Sequence, residues 1–113
     1  MLPKQNRLKK KKSFDEVFKK GKILRAPDFF LKYLEKEAAE ARIGFVVSKK
    51  VSKRAVQRNK AKRRLREAFR SPIKLLSQGI DVVVVANPSI KSRTLREIAE
   101  EVVSTLKKGQ LIK

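Results

Sequence analysis

KRAVQRNKAKRRLREAFR, Lys53 to Arg70, holds nine Lys or Arg residues and one acid, Glu67, with no Gly or Pro. Ser71-Pro72 follows, and a Pro turns the residue before it away from helical angles, so a helix is expected to end near Ser71. Ala61, Leu65, Ala68 and Phe69 recur at i, i+4, i+7 and i+8 and make one apolar stripe. Arg58, Lys62 and Arg66 form a row along the same helix, and Asn59, Arg63 and Arg70 fall just beyond it on the same side. Lys60 and Arg64 lie towards the other flank. A helix that docks by a narrow edge and shows an arc of cations is not an ordinary solvated face. Such faces mix signs and gain from i,i+4 ion pairs, whereas this one has almost no acids to pair with. A polyanion that neutralises the arc is the simplest explanation. Arg offers a planar fork for phosphate oxygens, Lys a mobile point charge, and Asn can donate and accept.

Both sides of this helix read as strand. Upstream, Arg42 to Ser48 alternates Ile43, Phe45 and Val47 on one face, and Gly44 leaves room for something packed above it. Downstream, Ile80 to Ala86 is apolar on both faces, as a central strand is, and Asn87-Pro88 ends it. Further upstream, Lys22 to Ala26 and Phe29 to Glu35 are expected to be strands, with Glu37 to Glu40 as a polar turn. Phe29, Leu31 and Tyr33 share one face; Phe30, Lys32 and Leu34 share the other. Ser13-Phe14-Asp15-Glu16 has the capping-box pattern, opening a first helix that Gly21 stops. Phe14, Val17 and Phe18 lie on one side of it and fit a core face. Ser77 to Gly79 is a turn. Thr94 to Glu97 fits a second capping box, ahead of a last helix whose stripe is Leu95, Ile98, Val102 and Leu106 and whose end is Gly109. Glu97, Glu100 and Glu101 read as its solvated face. The order is α-β-β-β-α-β-α, an α+β sandwich with helices packed on one four-stranded sheet, a single domain over residues 1–113.

Charge is concentrated. Of a net +20, residues 1–12 supply six cations with no acid and residues 49–70 eleven cations with one acid, which leaves only four net charges for the rest. That concentration points to a nucleic-acid footprint. Residues 1–12 form a basic arm that either solubilises as a loose tail or orders on a polyanion. There is no Cys, hence no disulfide or thiolate metal site, and no His, which removes the usual general base near neutral pH. The acids are scattered. The N-terminus lacks the apolar stretch of a secretory signal and the longest apolar run is far too short to span a membrane, so a cytoplasmic protein is expected. A ribosomal protein fits the composition too. A stand-alone nuclease would need clustered acids, and a membrane-surface helix a wider apolar face.

Arg58-Asn59-Lys60-Ala61-Lys62-Arg63-Arg64-Leu65-Arg66 resembles the Arg-Asn-Arg-x-Lys-Arg-x-x-Arg helix of the protein subunit of bacterial ribonuclease P. The lead-in Val47-Ser48-Lys49-Lys50-Val51, the following Glu67-Ala68-Phe69, and Asn6-Arg7-Leu8-Lys9-Lys10 ahead of Phe14 to Phe18 extend the likeness over nearly the whole chain. Lys60 stands where the family usually has a second Arg, and Lys32 where some members have a Tyr. The resemblance implies a left-handed crossover through the basic helix, against the usual hand of such connections. It implies an RNA-binding subunit that helps a catalytic RNA remove the 5′ leader of precursor tRNA. Mg²⁺ is then held mainly by the RNA, this chain carries no catalytic residue, and no obligate protein partner is implied. It assigns Lys49, Lys50, Arg54, Arg58, Asn59, Lys60, Lys62, Arg63 and Arg66 to the catalytic RNA. It assigns Phe14, Phe18, Phe30 and Lys32 to a cleft for the single-stranded leader, and Arg7, Lys9 and Lys10 to further RNA contacts.

Overall fold

A computed structural model describes residues 6–36, 41–76 and 79–112. The turn expected over Glu37 to Glu40, and most of the one expected over Ser77 to Gly79, lie outside those residues. The elements are α1 (Lys11–Lys20), β1 (Lys22–Arg25), β2 (Phe29–Glu35), β3 (Arg42–Val46), α2 (Ala55–Phe69), β4 (Ile80–Ala86) and α3 (Leu95–Lys108). Short 3₁₀ turns at Pro72–Leu75 and Pro88–Ser92 follow α2 and β4. The expected order and sheet size hold.

The sheet runs β1-β2-β4-β3, with β1, β2 and β4 antiparallel neighbours and β3 parallel to β4. The parallel pair is joined through α2. As the innermost hydrophobic strand, β4 has its Ile80, Val82, Val84 and Ala86 towards α2 and α3 and its Val83 and Val85 towards α1. The α2 stripe forms as read: Ala61, Leu65, Ala68 and Phe69 are buried. The Phe69 ring stands edge-on to Phe29 and Phe45, at centroid distances of 6.1 and 5.7 Å, and fixes α2 to the sheet.

On the other face, register sorts the side chains into three rows. Arg25, Phe30, Val85 and Val46 form the first; Ile23, Lys32, Val83 and Gly44 the second; Leu34, Asp81 and Arg42 the third. Helix α1 lies across the strands over the second row. Its Phe14 ring covers Gly44, its Val17 is buried in the cluster with Leu8 and Val83, and its Phe18 reaches Lys32. A Cβ at residue 44 would overlap the Phe14 ring, so the glycine is what lets α1 approach β3. The first row forms a strip beside the helix, exposed at Arg25 and half-buried at Phe30, Val85 and Val46.

Two local expectations fail for physical reasons, and one of the two alternatives for the N-terminal arm is removed for residues 6–8. The capping box at Ser13 does not form: α1 begins at Lys11, with Lys10 at the cap and no side-chain cap bond. Leu8 is pinned to β3 and draws the chain into the helix early, while Glu16 is spent on Lys36 at 2.8 Å. Residues 6–8 are not a loose tail. The Asn6 side chain donates to the Ala41 carbonyl at 2.7 Å, the Leu8 N–H to the Ile43 carbonyl at 2.9 Å, and the Leu8 side chain is buried. In α3 the Thr94–Glu97 capping box is present, but Leu95 stays exposed and Thr105 takes its place in the buried stripe with Ile98, Val102 and Leu106.

Candidate nucleic-acid interface

Helix α2 carries the cations outward. Lys53, Arg54, Asn59, Lys60, Arg63 and Arg70 are exposed; Arg58, Lys62 and Arg66 are half-buried along the row facing α1's side. Lys49 and Lys50 are exposed on the preceding turn, where the Ser48 carbonyl and hydroxyl accept the N–H groups of Val51 and Lys50. The helix has no side-chain cap at Arg54. Arg58 braces the lead-in in a different way: its Nη1 donates to the carbonyls of Ser52 at 3.0 Å and Lys53 at 2.9 Å, and holds the turn that launches the helix. This is a structural role that the spacing alone does not reveal. On the opposite flank, Arg64 donates to the Arg93 carbonyl at 3.0 Å, and Gln57, Lys60, Arg64 and Lys91 border a shallow hollow of about 140 Å³.

Lys62 and Arg66 do not stand alone. They line a groove of about 370 Å³ with Arg7, Lys9, Phe14 and the β3 residues Ile43 to Phe45. The sequence reading separated an α2 surface for one RNA from an α1 cleft for another. The structure makes them continuous at the edge of β3, because pairing of residues 6–8 brings Arg7 and Lys9 to that edge. Phe14 belongs to this groove. Lys10 is exposed at the start of α1.

Phe18, Phe30 and Lys32 lie further along the same face. Phe18 is 36% exposed, so it is not part of the core its spacing fits. Lys32 is not a free cation: its Nζ donates to the Phe18 carbonyl at 2.9 Å and sits 5.8 Å from the Phe18 ring centroid. The pair presents a ring backed by an ammonium. Phe30 is half-buried in the strip beside α1, with Arg25 and Val85 as its cross-strand neighbours. Arg25, Val46 and Val85 border the strip and are absent from the sequence-based set; antiparallel register between β1 and β2 was the signal that could have supplied Arg25.

Two polar clusters tie helices to the sheet, one at α1 and one at α3. Asp81, fully buried in β4, accepts Arg42 Nε at 2.9 Å on one oxygen and Arg42 Nη2 at 2.8 Å on the other. Lys36 lies 3.5 Å from Asp81 and 2.8 Å from Glu16 of α1. The Lys36 hydrogen bond holds the Glu16 carboxyl below its ordinary range, and Glu16 in turn raises Lys36. At the far side, Glu101 is not part of a solvated face: its Oε1 accepts the Asp28 N–H at 2.6 Å. Asp28 is buried and faces Arg93, Nε to Oδ2 2.9 Å. Burial, then the shared hydrogen bond with Asp28, pushes Glu101 up to about 7. Burial opposes ionisation of Asp28, but hydrogen bonds from Glu101, Ser89 and Arg93 outweigh it and hold Asp28 low. Among the described residues no group of three or more His, Cys, Asp or Glu could hold a metal ion, and no helix is long and apolar enough to cross a membrane.

A family model described as ribonuclease P matches residues 2–110. The ribonuclease P protein component of Pseudanabaena sp. is 38% identical over 113 residues, spanning 99% of this chain and 97% of that one. The solved RNase P protein of Staphylococcus aureus superposes with a TM-score of 0.85 at 30% identity, covering 96% of this chain and 98% of that one. The RNase P protein from Thermotoga maritima superposes at 0.80, with 29% identity and coverage of 90% and 96%.

Proposed function

Because this chain belongs to the ribonuclease P protein family, we propose that it acts as an RNA-binding subunit. In that role it helps a catalytic RNA cut the 5′ leader from precursor tRNA, docking on that RNA through α2 and holding the single-stranded leader beside α1. The observation that carries this reading is the continuous surface at the β3 edge, where Lys62 and Arg66 share one groove with Arg7, Lys9 and the Phe14 ring. Cations there neutralise phosphates whatever the sequence, with a linear dependence of log affinity on log salt. Aromatic faces stack on any base, at about 1–3 kcal/mol each, so Phe14, Phe18 and Phe30 suit leaders of many sequences. Lys60 keeps a phosphate contact where the family favours Arg, without the bidentate fork.

The donor chemistry does not fit a resident Mg²⁺. Mg²⁺ takes oxygen ligands, and among the described residues the buried carboxylates are already engaged: Asp28 and Glu101 meet beside Arg93, and Asp81 is taken up by Arg42 and Lys36. We therefore assign the ion to the RNA partner and the bond-breaking with it. The protein's share is to position the leader and lower repulsion between two RNAs. Reconstitution with a bacterial ribonuclease P RNA tests this. At Mg²⁺ too low for the RNA alone, adding the protein is expected to restore 5′ processing, and to strengthen binding of precursors with a long leader more than of those cut to a few nucleotides. No stimulation would overturn the assignment to this reaction, and equal stimulation with and without leader would remove the leader-holding role.

A further inference from the structure

A carboxylate at Asp81 is an expensive choice for a valine-rich central strand, because taking a charge out of water costs several kcal/mol and apolar residues of similar size are often more stabilising. Arg42 alone satisfies both of its oxygens. The approach of Lys36 is therefore extra, and it leads directly to Glu16, on the flank of α1. The four groups run without a break from β4 through the start of β3 and the end of β2 to the helix, and their charges cancel. Around them they do not cancel. Helix α1 carries Lys11, Lys12, Lys19 and Lys20 against one further acid, Asp15, and the sheet face beneath and beside it carries Lys32 and Arg25. Like charges crowd the helix, and beyond the Lys32 bond to the Phe18 carbonyl its attachment to the sheet is small: Val17 buried, with Phe14 half-buried over Gly44.

From this balance we infer that the Glu16–Lys36–Asp81–Arg42 chain is a spacer, which sets how far α1 stands from the sheet and so the width of the strip that receives a single strand. The functional half of this inference rests on the leader-holding role proposed above. Glu16 and Lys36 are positioning residues: neither lines the groove. Lys36 is the adjustable link, since it bridges two acids that do not touch each other, and Arg at this position keeps both partners.

The absence of cysteine makes a direct measurement simple. Spin labels at Lys19→Cys on α1 and Ser104→Cys on α3, both exposed positions, report the helix-to-body distance in the full chain. Glu16→Ala and Lys36→Met are expected to broaden that distance distribution, and Lys36→Arg to leave it narrow. In reconstituted holoenzyme the same two variants are expected to lose about fivefold of the affinity contributed by the leader, with catalytic-RNA affinity and leaderless substrate binding unchanged, and Lys36→Arg to restore it. A narrow, unshifted distribution in both Glu16→Ala and Lys36→Met overturns the spacer. Broadening without any change in leader affinity overturns its link to the strip. A wild-type holoenzyme that ignores the leader overturns the reading beneath, while the distances still decide whether the spacer exists.

Discussion

Gly44→Ala is the sharpest probe of how this fold makes its groove. Glycine here has no positive φ, so the backbone accepts alanine, and replacing Gly in a strand would ordinarily stabilise slightly. The added Cβ, however, falls within the Phe14 ring, overlapping Cζ and Cε1. Backbone of β3 cannot yield, because β4 pairs with it on one side and residues 6–8 on the other. Phe14 must move, and with it α1. Overpacking of this kind costs about 1–3 kcal/mol. For a chain of this size that lowers Tm by roughly 5–20 °C. Phe14→Ala, which empties a half-buried site, is expected to cost about 1.5–3 kcal/mol on its own. The two changes together leave room for the new methyl. The double variant should therefore be more stable than the sum of the singles by about 1–2 kcal/mol, read from urea denaturation of all four proteins. A Gly44→Ala protein within about 0.5 kcal/mol of the parent, or strictly additive effects, would refute the claim that Phe14 seats α1 on β3.

Lys62→Ala and Arg66→Ala should each reduce the slope of log affinity against log salt for the catalytic RNA by about 0.7–0.9, and an unchanged slope in filter binding would take both residues out of the interface. Arg58→Ala removes two hydrogen bonds to the turn before α2 and should cost about 1–3 kcal/mol of stability, whereas Arg63→Ala, on the same helix and exposed, should leave the melting curve in place; equal curves would deny Arg58 its bracing of that turn. Glu101 has its folded-state value raised from 4.5 to about 7 by burial and Asp28, so the folded state binds the extra proton. Its stabilising effect is full below about 4.5 and is lost as pH rises to 7, so Glu101→Gln should hold its Tm across that window while the parent falls relative to it, and parallel Tm profiles would contradict the shared proton.

The fold was legible where periodicity and burial speak together. The α2 stripe, the all-apolar β4 and the alternation in Phe29 to Glu35 each carry enough apolar residues to decide their own geometry. Gly44 announced a close approach, and it is Phe14 that makes it. What stayed hidden depends on partners distant in sequence. Nothing local says that Lys32 will lean on the Phe18 carbonyl, that Lys36 will bridge Glu16 and Asp81, or that Asp28 will seek Glu101. The Ser13 pattern failed for the same reason, since Leu8 and Lys36 compete for what a capping box needs. Of the candidate site, the cationic row of α2 could be read from spacing, but its merger with Phe14 required the register of residues 6–8 along β3.

That short pairing also orders events during synthesis. Residues 6–8 leave the ribosome well before Ala41 and Ile43, the groups they bind, and β3 itself waits for β4 beyond α2. Until then the nascent chain exposes its first strands with one flank open, a state in which edge-to-edge self-association is a hazard. The finished sheet guards its two margins by different means: four residues bearing Lys22 and Arg25 on one, and residues 6–8 folded back along the other. Seen this way, residues 6–8 double as a latch for the last open flank, and replacing them with a sequence that cannot pair should show first as poor solubility during expression.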